Sequence, residues 1–274
     1  MRVQRRTTKN AAMLVPACAT IGLLFGAALL GAALESLRVG ALSGSLGVAA
    51  WRSVLADPAF TDALRFSAQT ALVSTALSGV VAVALAAGLR RRAVALRGLL
   101  ALPVPVPHLV VAVTAVLWLG SGGLVERALG FLPVTLIRDW AGLGVVAVYV
   151  YKEAPFLALL VLAAWGREVA DREEVAAVLG ANRWHRLRWV VWPAIRVPLG
   201  IGSLIVAAFA FGSFEVPLLV GPSYPPTLAT FALEATRSAD LSGQARAAAS
   251  LLVAAGASIL VALAVVRTGR GADG

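Results

Sequence analysis

The chain of 274 residues predicts an all-α integral membrane protein with six transmembrane helices, and three observations carry that prediction. Its composition is 59% apolar and 14% charged, against roughly 45–50% and 25% in an average soluble domain. The apolar residues fall into six runs, at 11–34, 66–89, 98–125, 140–166, 197–222 and 245–266. At about 1.5 Å of rise per residue, each is long enough to cross a hydrocarbon core of roughly 30 Å. Basic residues alternate between successive connections. One set holds sixteen: Arg2, Arg5, Arg6 and Lys9; Arg90, Arg91, Arg92 and Arg97; Arg167, Arg172, Arg183, Arg186, Arg188 and Arg196; Arg267 and Arg270. The other holds seven, Arg38, Arg52, Arg65, Arg127, Arg138, Arg237 and Arg246, and Lys152 lies inside a span. The positive-inside rule therefore places both termini and the charged connection 167–196 in the cytoplasm. Because the net charge of +10 is distributed by side and not gathered on one stripe, it points to the lipid bilayer and not to nucleic acid.

The first run has a basic start, but its length exceeds that of a usual signal core, which favours a retained anchor. Cys18 follows Val15-Pro16-Ala17, a poor lipoprotein cleavage box, and as the sole cysteine it forms no internal disulfide. With two histidines in the whole chain no zinc-type cluster is expected, and no cofactor. Two Lys against 22 Arg, with heavy use of Ala, Gly and Val, point to a GC-rich bacterial genome.

After the first span, Gly40, Gly44 and Gly47 precede Trp51 to Leu55, expected as a short helix along the outer face, and Asp57-Pro58 reads as a turn followed by a helix start. The third span opens with Pro103, Pro105 and Pro107, a spacing that forbids regular helix because each ring removes an N–H donor and clashes with a preceding carbonyl. His108 ends that lead-in with no second His, Cys or carboxylate beside it in sequence, which reads as a structural imidazole. Trp118, Trp140, Trp165, Trp189 and Trp192 cluster toward span ends as an aromatic belt.

Lys152 and Glu153 stand in the middle of the fourth run, roughly 18 Å from either end of a helix. Charges at that depth cost about 2.5–3.5 kcal/mol each, so both are expected to face the bundle interior and find partners. Being adjacent, they point about 100° apart and do not simply neutralise each other. Pro155 is expected to loosen the helix at Ala154. Two readings fit: a translocation-path or gate element, or an interhelical ion pair that fixes packing. Glu215 lies roughly 27 Å along a helix from Val197, near the outer interface. Gly212-Ser213 and Pro217 around it suit close approach or movement, and a path role or a plain interface carboxylate both fit. The outward turn Gly221 to Pro226 and a short helix from Thr227 to Ser238 form either a rigid face for an external partner or a connector.

The connection 167–196 is the most informative segment. Asp171 to Leu179 reads as a short helix with acidic residues in its first turn, where the helix dipole favours them. Gly180 permits positive φ and close contact, and Asn182 is a suitable N-cap for a second helix in which Trp184, Leu187 and Val191 share a face. Arg183 and Arg186 flank that face, and Pro193 and Pro198 are expected to stop the helix as the chain re-enters the bilayer.

These residues resemble the EAA motif of the permease subunits of bacterial binding-protein-dependent ABC importers, which have the type I transmembrane fold. The match runs Glu174-Val175-Ala176, then Gly180-Ala181, then Trp192-Pro193, with Gly180 and Pro193 thirteen apart as in the motif. Val175 replaces the usual first Ala, Trp192 the usual Leu, and Pro198 falls one residue late. Leu102 to His108 and Ser213 to Gly221 are similar to the polyamine, sulfate, thiamine and iron branch, the polyamine type above all. The resemblance implies a single transmembrane domain over 1–274, a core at about 62–266, and a coupling loop at 167–196. It also implies location in the bacterial cytoplasmic (inner) membrane. The implied partners are cytoplasmic ABC ATPase subunits, a second permease subunit and an extracytoplasmic solute-binding protein. Carried over, Glu174 makes charged contacts with the ATPase, Ala176 and Gly180 permit close approach, and Trp184 and Leu187 fill its groove; Ala181, Arg183 and Pro193 complete the loop. Lys152, Glu153 and Glu215 are the candidate path or gate residues.

Two other classes explain less. A rhomboid-like serine protease needs nucleophile, base and oxyanion donors together, and Ser213 and His108 alone do not supply them. A proton-coupled secondary transporter would use Lys152, Glu153 and Glu215, but it would be built from internal repeats, which the sequence lacks, and it leaves the charged loop unexplained. No Gly-rich loop ending in Gly-Lys-Ser/Thr occurs, so ATP hydrolysis is expected in a separate subunit.

Overall fold

The computed structural model describes the backbone of residues 2–39, 45–90, 92, 98–131, 136–238, 240 and 242–270, and their side chains apart from 2–14, 17, 262 and 264–270. Arg91 and Arg97 of the charge count lie outside the described residues, as do the side chains of Arg2, Arg5, Arg6, Lys9, Arg267 and Arg270.

Helix α1 runs Arg2–Ser36, and a two-residue antiparallel pairing joins β1 (Arg38–Val39) to β2 (Ser45–Leu46). The expected short helix is α2, Ala49–Leu55. Helix α3 begins at Pro58, where a fixed φ and a missing N–H cost nothing, and continues to Leu89. The third span follows the expectation drawn from its prolines. One 3₁₀ turn at Leu99–Ala101 gives way to irregular chain, and α4 starts only at His108, running to Leu119 before α5, Leu124–Leu129. The three prolines account for the late start, since α4 forms as soon as they are passed.

Helix α6, Leu143–Ala164, runs unbroken through Pro155, which corrects the expected loosening at Ala154. Neighbouring helices tolerate the lost backbone bond at membrane depth. Next come α7, Arg167–Val178, and α8, Arg183–Arg186. A π-helical turn at Leu187–Val191 leads into α9, Trp192–Gly212. Here too a prediction fails: Pro193 and Pro198 do not stop the helix, because the helical segment is continuous over Arg183–Gly212. Pro193 stands in the first turn of α9, directly after the widened turn, which takes up the donor that proline lacks. Helix α10 spans Glu215–Val220, α11 Leu228–Arg237 and α12 Gly243–Arg270. Among the described residues, six helices are long and apolar enough to cross a membrane: Cys18–Ser36, Pro58–Leu89, His108–Leu129, Leu143–Ala164, Arg183–Gly212 and Gly243–Val261.

The chain forms two compact units, residues 58–231 with 254–274, and residues 1–57 with 232–253. In the larger unit α3 packs along α6 and α9. Its buried face carries Ser67, Thr70, Ala71, Ser74, Ser78, Ala82 and Ala86, small residues at helical spacing that let backbones approach closely. One apolar cluster joins Ala82 and Ala86 to Leu157, Val161 and Trp165 of the α6 region and to Val191, Ile195 and Leu199. At Gly202 a Cβ would lie 2.6 Å from a methyl of Leu160 and 2.8 Å from one of Leu157, so glycine lets α9 lie against α6 without displacing either leucine side chain. In the smaller unit, Arg246 donates to Asp57 at 2.8 Å and the Trp51 indole to the Ser36 hydroxyl at 3.1 Å.

Candidate coupling surface and intramembrane polar cluster

The turn between α7 and α8 is closed by local chemistry. Gly180 adopts φ +85°, its N–H donates to the Ala177 carbonyl at 3.0 Å, and the Ala181 N–H donates to the Ala176 carbonyl at 2.9 Å. This is the Schellman arrangement, in which a left-handed glycine satisfies the last carbonyls of a helix. None of the described residues comes within 4 Å of a Cβ built on Gly180, so the glycine is required by its φ and not by crowding among them. Asn182 then caps α8 as expected, its side-chain oxygen accepting from the His185 N–H at 2.8 Å.

The outer side of this turn is apolar. Val175, Val178 and Leu179 are 60%, 88% and 81% exposed, and Trp184 is 68% exposed. Spacings of three and four place the first three on one face of α7, beside exposed Glu174 and Arg183. Ala176, Ala181 and Leu187 are half-buried, and Leu187 packs onto the apolar cluster of the larger unit. Pro193 is exposed at the start of α9. The shared face expected for Trp184, Leu187 and Val191 is split: Leu187 and Val191 both meet the apolar cluster, Val191 at 1% exposed, while Trp184 stays exposed.

The inner side of α7 carries a residue that sequence reasoning passed over. Glu173 is 6% exposed and accepts two hydrogen bonds from the Arg90 guanidinium, one from Nη2 at 2.8 Å and a second from Nη1. Arg186 lies 3.8 Å from the same carboxylate, and the Arg90 guanidinium stacks 4.3 Å above the Trp165 ring. Trp165 is 7% exposed, which corrects its assignment to the aromatic belt. Helical spacing was the available signal, because Val169, Glu173 and Ala176 fall on one turn-to-turn stripe that faces inward.

The intramembrane residues resolve differently. Lys152 and Glu153 are both buried, as the cost of exposing charge to hydrocarbon requires, and each has its own partner. Lys152 Nζ donates to the Val104 carbonyl at 2.7 Å, an acceptor in the irregular proline lead-in. Glu153 Oε1 lies 2.7 Å from His108 Nε2. A carboxylate therefore stands beside His108 in space although none does in sequence. Among the described residues no group of three His, Cys, Asp or Glu side chains is placed to hold a metal ion. The His108 ring stacks on Phe209 at 4.4 Å, and Tyr149 meets Phe209 edge-on at 6.4 Å. Glu215 is half-buried in the first turn of α10, and among the described residues it makes no hydrogen bond or ion pair with Lys152 or Glu153.

Residues 78–269 match the family described as binding-protein-dependent transport system inner membrane component. The chain is 31% identical over 225 residues to the inner membrane ABC transporter permease protein YnjC of Escherichia coli K12, an alignment covering 77% of this chain and 42% of YnjC. It is 28% identical to the thiamine transport system permease protein ThiP of Brucella abortus, over 97% of this chain and 49% of ThiP. The chain thus spans less than half the length of either relative. The fold is that of a solved bacterial ABC transporter involved in the import of the acidic polysaccharide alginate, with a TM-score of 0.74 at 19% identity over 98% of this chain and 99% of that one. With a family match covering more than half of its length and six helices able to span a bilayer, the chain belongs to the binding-protein-dependent transport system inner membrane components and is a multi-pass inner-membrane protein.

Proposed function

We propose that this chain is the permease subunit of an ATP-driven importer, and that the turn from Glu174 to Leu187 is where a cytoplasmic ABC ATPase docks. One observation carries the reading: Val175, Val178 and Leu179 are exposed on one face of α7, beside a turn that Gly180 and Asn182 close. A merely solvated loop gains nothing from an apolar stripe bordered by Glu174 and Arg183, whereas a groove-binding helix is recognised by this pattern. Ala176 and Gly180 are small enough for close approach, and Ala181 and Pro193 fix where the chain enters and leaves the turn.

The working assembly pairs this chain with a second permease subunit, two ATPase subunits and an extracytoplasmic solute-binding protein. Closure of the ATPase dimer on ATP draws the two docking turns together and opens the bundle outward, and hydrolysis resets it. Both termini and the docking turn then lie on the cytoplasmic side, in line with the excess of basic residues there. Glu215 belongs to the solute path or its gate. Lys152 and Glu153 shape that path from behind, one held by Val104 and the other by His108. A cationic, polyamine-like solute then rests on Glu215, since the Glu153 carboxylate is already engaged.

The sole cysteine makes a clean test available. In a Cys18→Ser background, Val178→Cys should cross-link to the cognate ATPase in membranes and resist an impermeant maleimide added from outside. Labelling of that cysteine from the extracytoplasmic side would overturn the assignment.

A further inference from the structure

Glu173 faces away from the proposed docking surface and is nevertheless the most heavily engaged carboxylate of the loop. Its two oxygens accept from two nitrogens of one guanidinium, a fork geometry that fixes direction as well as distance. Arg90, the other half of that fork, directly follows the end of α3 and stays in helical register, its N–H donating to the Ala86 carbonyl at 2.9 Å. Arg186 of α8 approaches the same carboxylate at 3.8 Å. One buried carboxylate is therefore a node joining α7, α8 and α3. Arg90 is held from its other side by the Trp165 ring at 4.3 Å, so its guanidinium is fixed between a carboxylate and an aromatic face. Behind the node, Ala82 and Ala86 pack α3 into the apolar cluster with Leu157, Val161, Ile195 and Leu199.

We propose that Glu173 is a positioning residue that transmits displacement of the docking turn to α3 through Arg90. The proposal rests on the reading of the turn as the ATPase docking surface. A push on the exposed face of α7 acts on a helix whose opposite face is tied to the end of a spanning helix. Because the tie is nearly shielded from water, with side chains 16% and 7% exposed, it is not loosened by solvent as a surface pair is. The neutral variant Glu173→Gln keeps the shape of the side chain, loses the charge-assisted fork, and leaves Arg90 and Arg186 without their shared counter-ion. Glu173→Asp keeps the charge within reach of the long Arg90 side chain.

The test places spin labels at exposed Val80 on α3 and at exposed Ala177 on α7, which lies off the apolar docking stripe, in the Cys18→Ser background, with the permease and its cognate ATPase assembled in nanodiscs. The probe is ATP with vanadate, compared with no nucleotide. The parent and Glu173→Asp are expected to keep one narrow distance between the labels in both states. In Glu173→Gln the distribution under ATP and vanadate should at least double in width, while ATPase co-purification stays within two-fold of the parent. A distance that shifts in the parent, or a Glu173→Gln distribution as narrow as the parent's, overturns the transmission role. A ten-fold loss of co-purification in Glu173→Gln would make Glu173 a structural prop of the docking surface and overturn it as well. Failure of the parent to retain the ATPase at all, with Gly180→Arg no different, would instead sink the docking reading beneath it.

Discussion

Glu173 on α7 and Arg90 beyond the end of α3 meet in a two-pronged ion pair although 83 residues separate them. The pair gives the α7–α8 turn two unlike sides. The inner side is anchored by charge to the spanning helices, and the outer side presents an exposed apolar stripe that none of the described residues covers. The first three predictions below separate what each side does.

Trp184→Ala should weaken ATPase binding without weakening the fold. The ring is 68% exposed, so its truncation removes little intramolecular packing. Buried aromatic anchors at interfaces typically cost about 2 kcal/mol or more when truncated, which is roughly thirty-fold in affinity. Thermal unfolding of the purified permease should match the parent, and ATPase co-purification should fall.

Trp165→Ala should do the reverse. The ring is 7% exposed, belongs to the apolar cluster and supports Arg90. Removing a large buried aromatic costs about 3–5 kcal/mol, so a lower melting temperature in detergent is expected before any binding partner is added.

Gly180→Ala tests the turn itself. Space for a methyl group is open, and the penalty comes only from φ +85°. A non-glycine residue held in the left-handed region costs about 1–2 kcal/mol, and Gly180→Asn should cost less because Asn visits that region more readily. The order glycine, asparagine, alanine in ATPase co-purification would bear this out, whereas equal binding by all three would show that the left-handed turn is dispensable.

Lys152→Met should destabilise the bundle by about 1–3 kcal/mol by leaving the Val104 carbonyl unpaired at membrane depth. Glu153→Gln retains a group able to pair with a neutral His108, so its melting temperature should stay closer to the parent's than that of Glu153→Ala. Glu215→Gln removes a half-buried carboxylate that has no ion pair among the described residues. Its stability should stay within about 0.5 kcal/mol of the parent, and any loss of transport then reports on the path.

Local chemistry was readable from the sequence, and tertiary pairing was not. Gly180 and Asn182 act on residues within three to five positions, so their roles follow from residue type and spacing. The burial of Lys152 and Glu153 followed from the cost of charge in hydrocarbon, but their partners lie 48 and 45 residues away. One of those partners is a backbone carbonyl that no side-chain pattern announces. The prolines were readable in one case and misleading in the other. Pro103, Pro105 and Pro107 exclude regular helix before His108, as their spacing predicts, while Pro155, Pro193 and Pro198 are absorbed into helices. Isolated prolines are tolerated where neighbouring helices, or a π-helical turn, make good the lost bond, and closely spaced ones are not. Glu173 was overshadowed by its neighbour Glu174, although its helical spacing from Val169 and Ala176 marks the inward face, and its partner Arg90 lies too far off in sequence to be read.

The most direct measurement is uptake into proteoliposomes containing the permease and its cognate ATPase, with the solute presented by its binding protein. Uptake that requires hydrolysable ATP on the ATPase side, and that Gly180→Arg abolishes while membrane insertion persists, is the predicted result. Full uptake driven by a proton gradient alone, with no ATPase present, would contradict it.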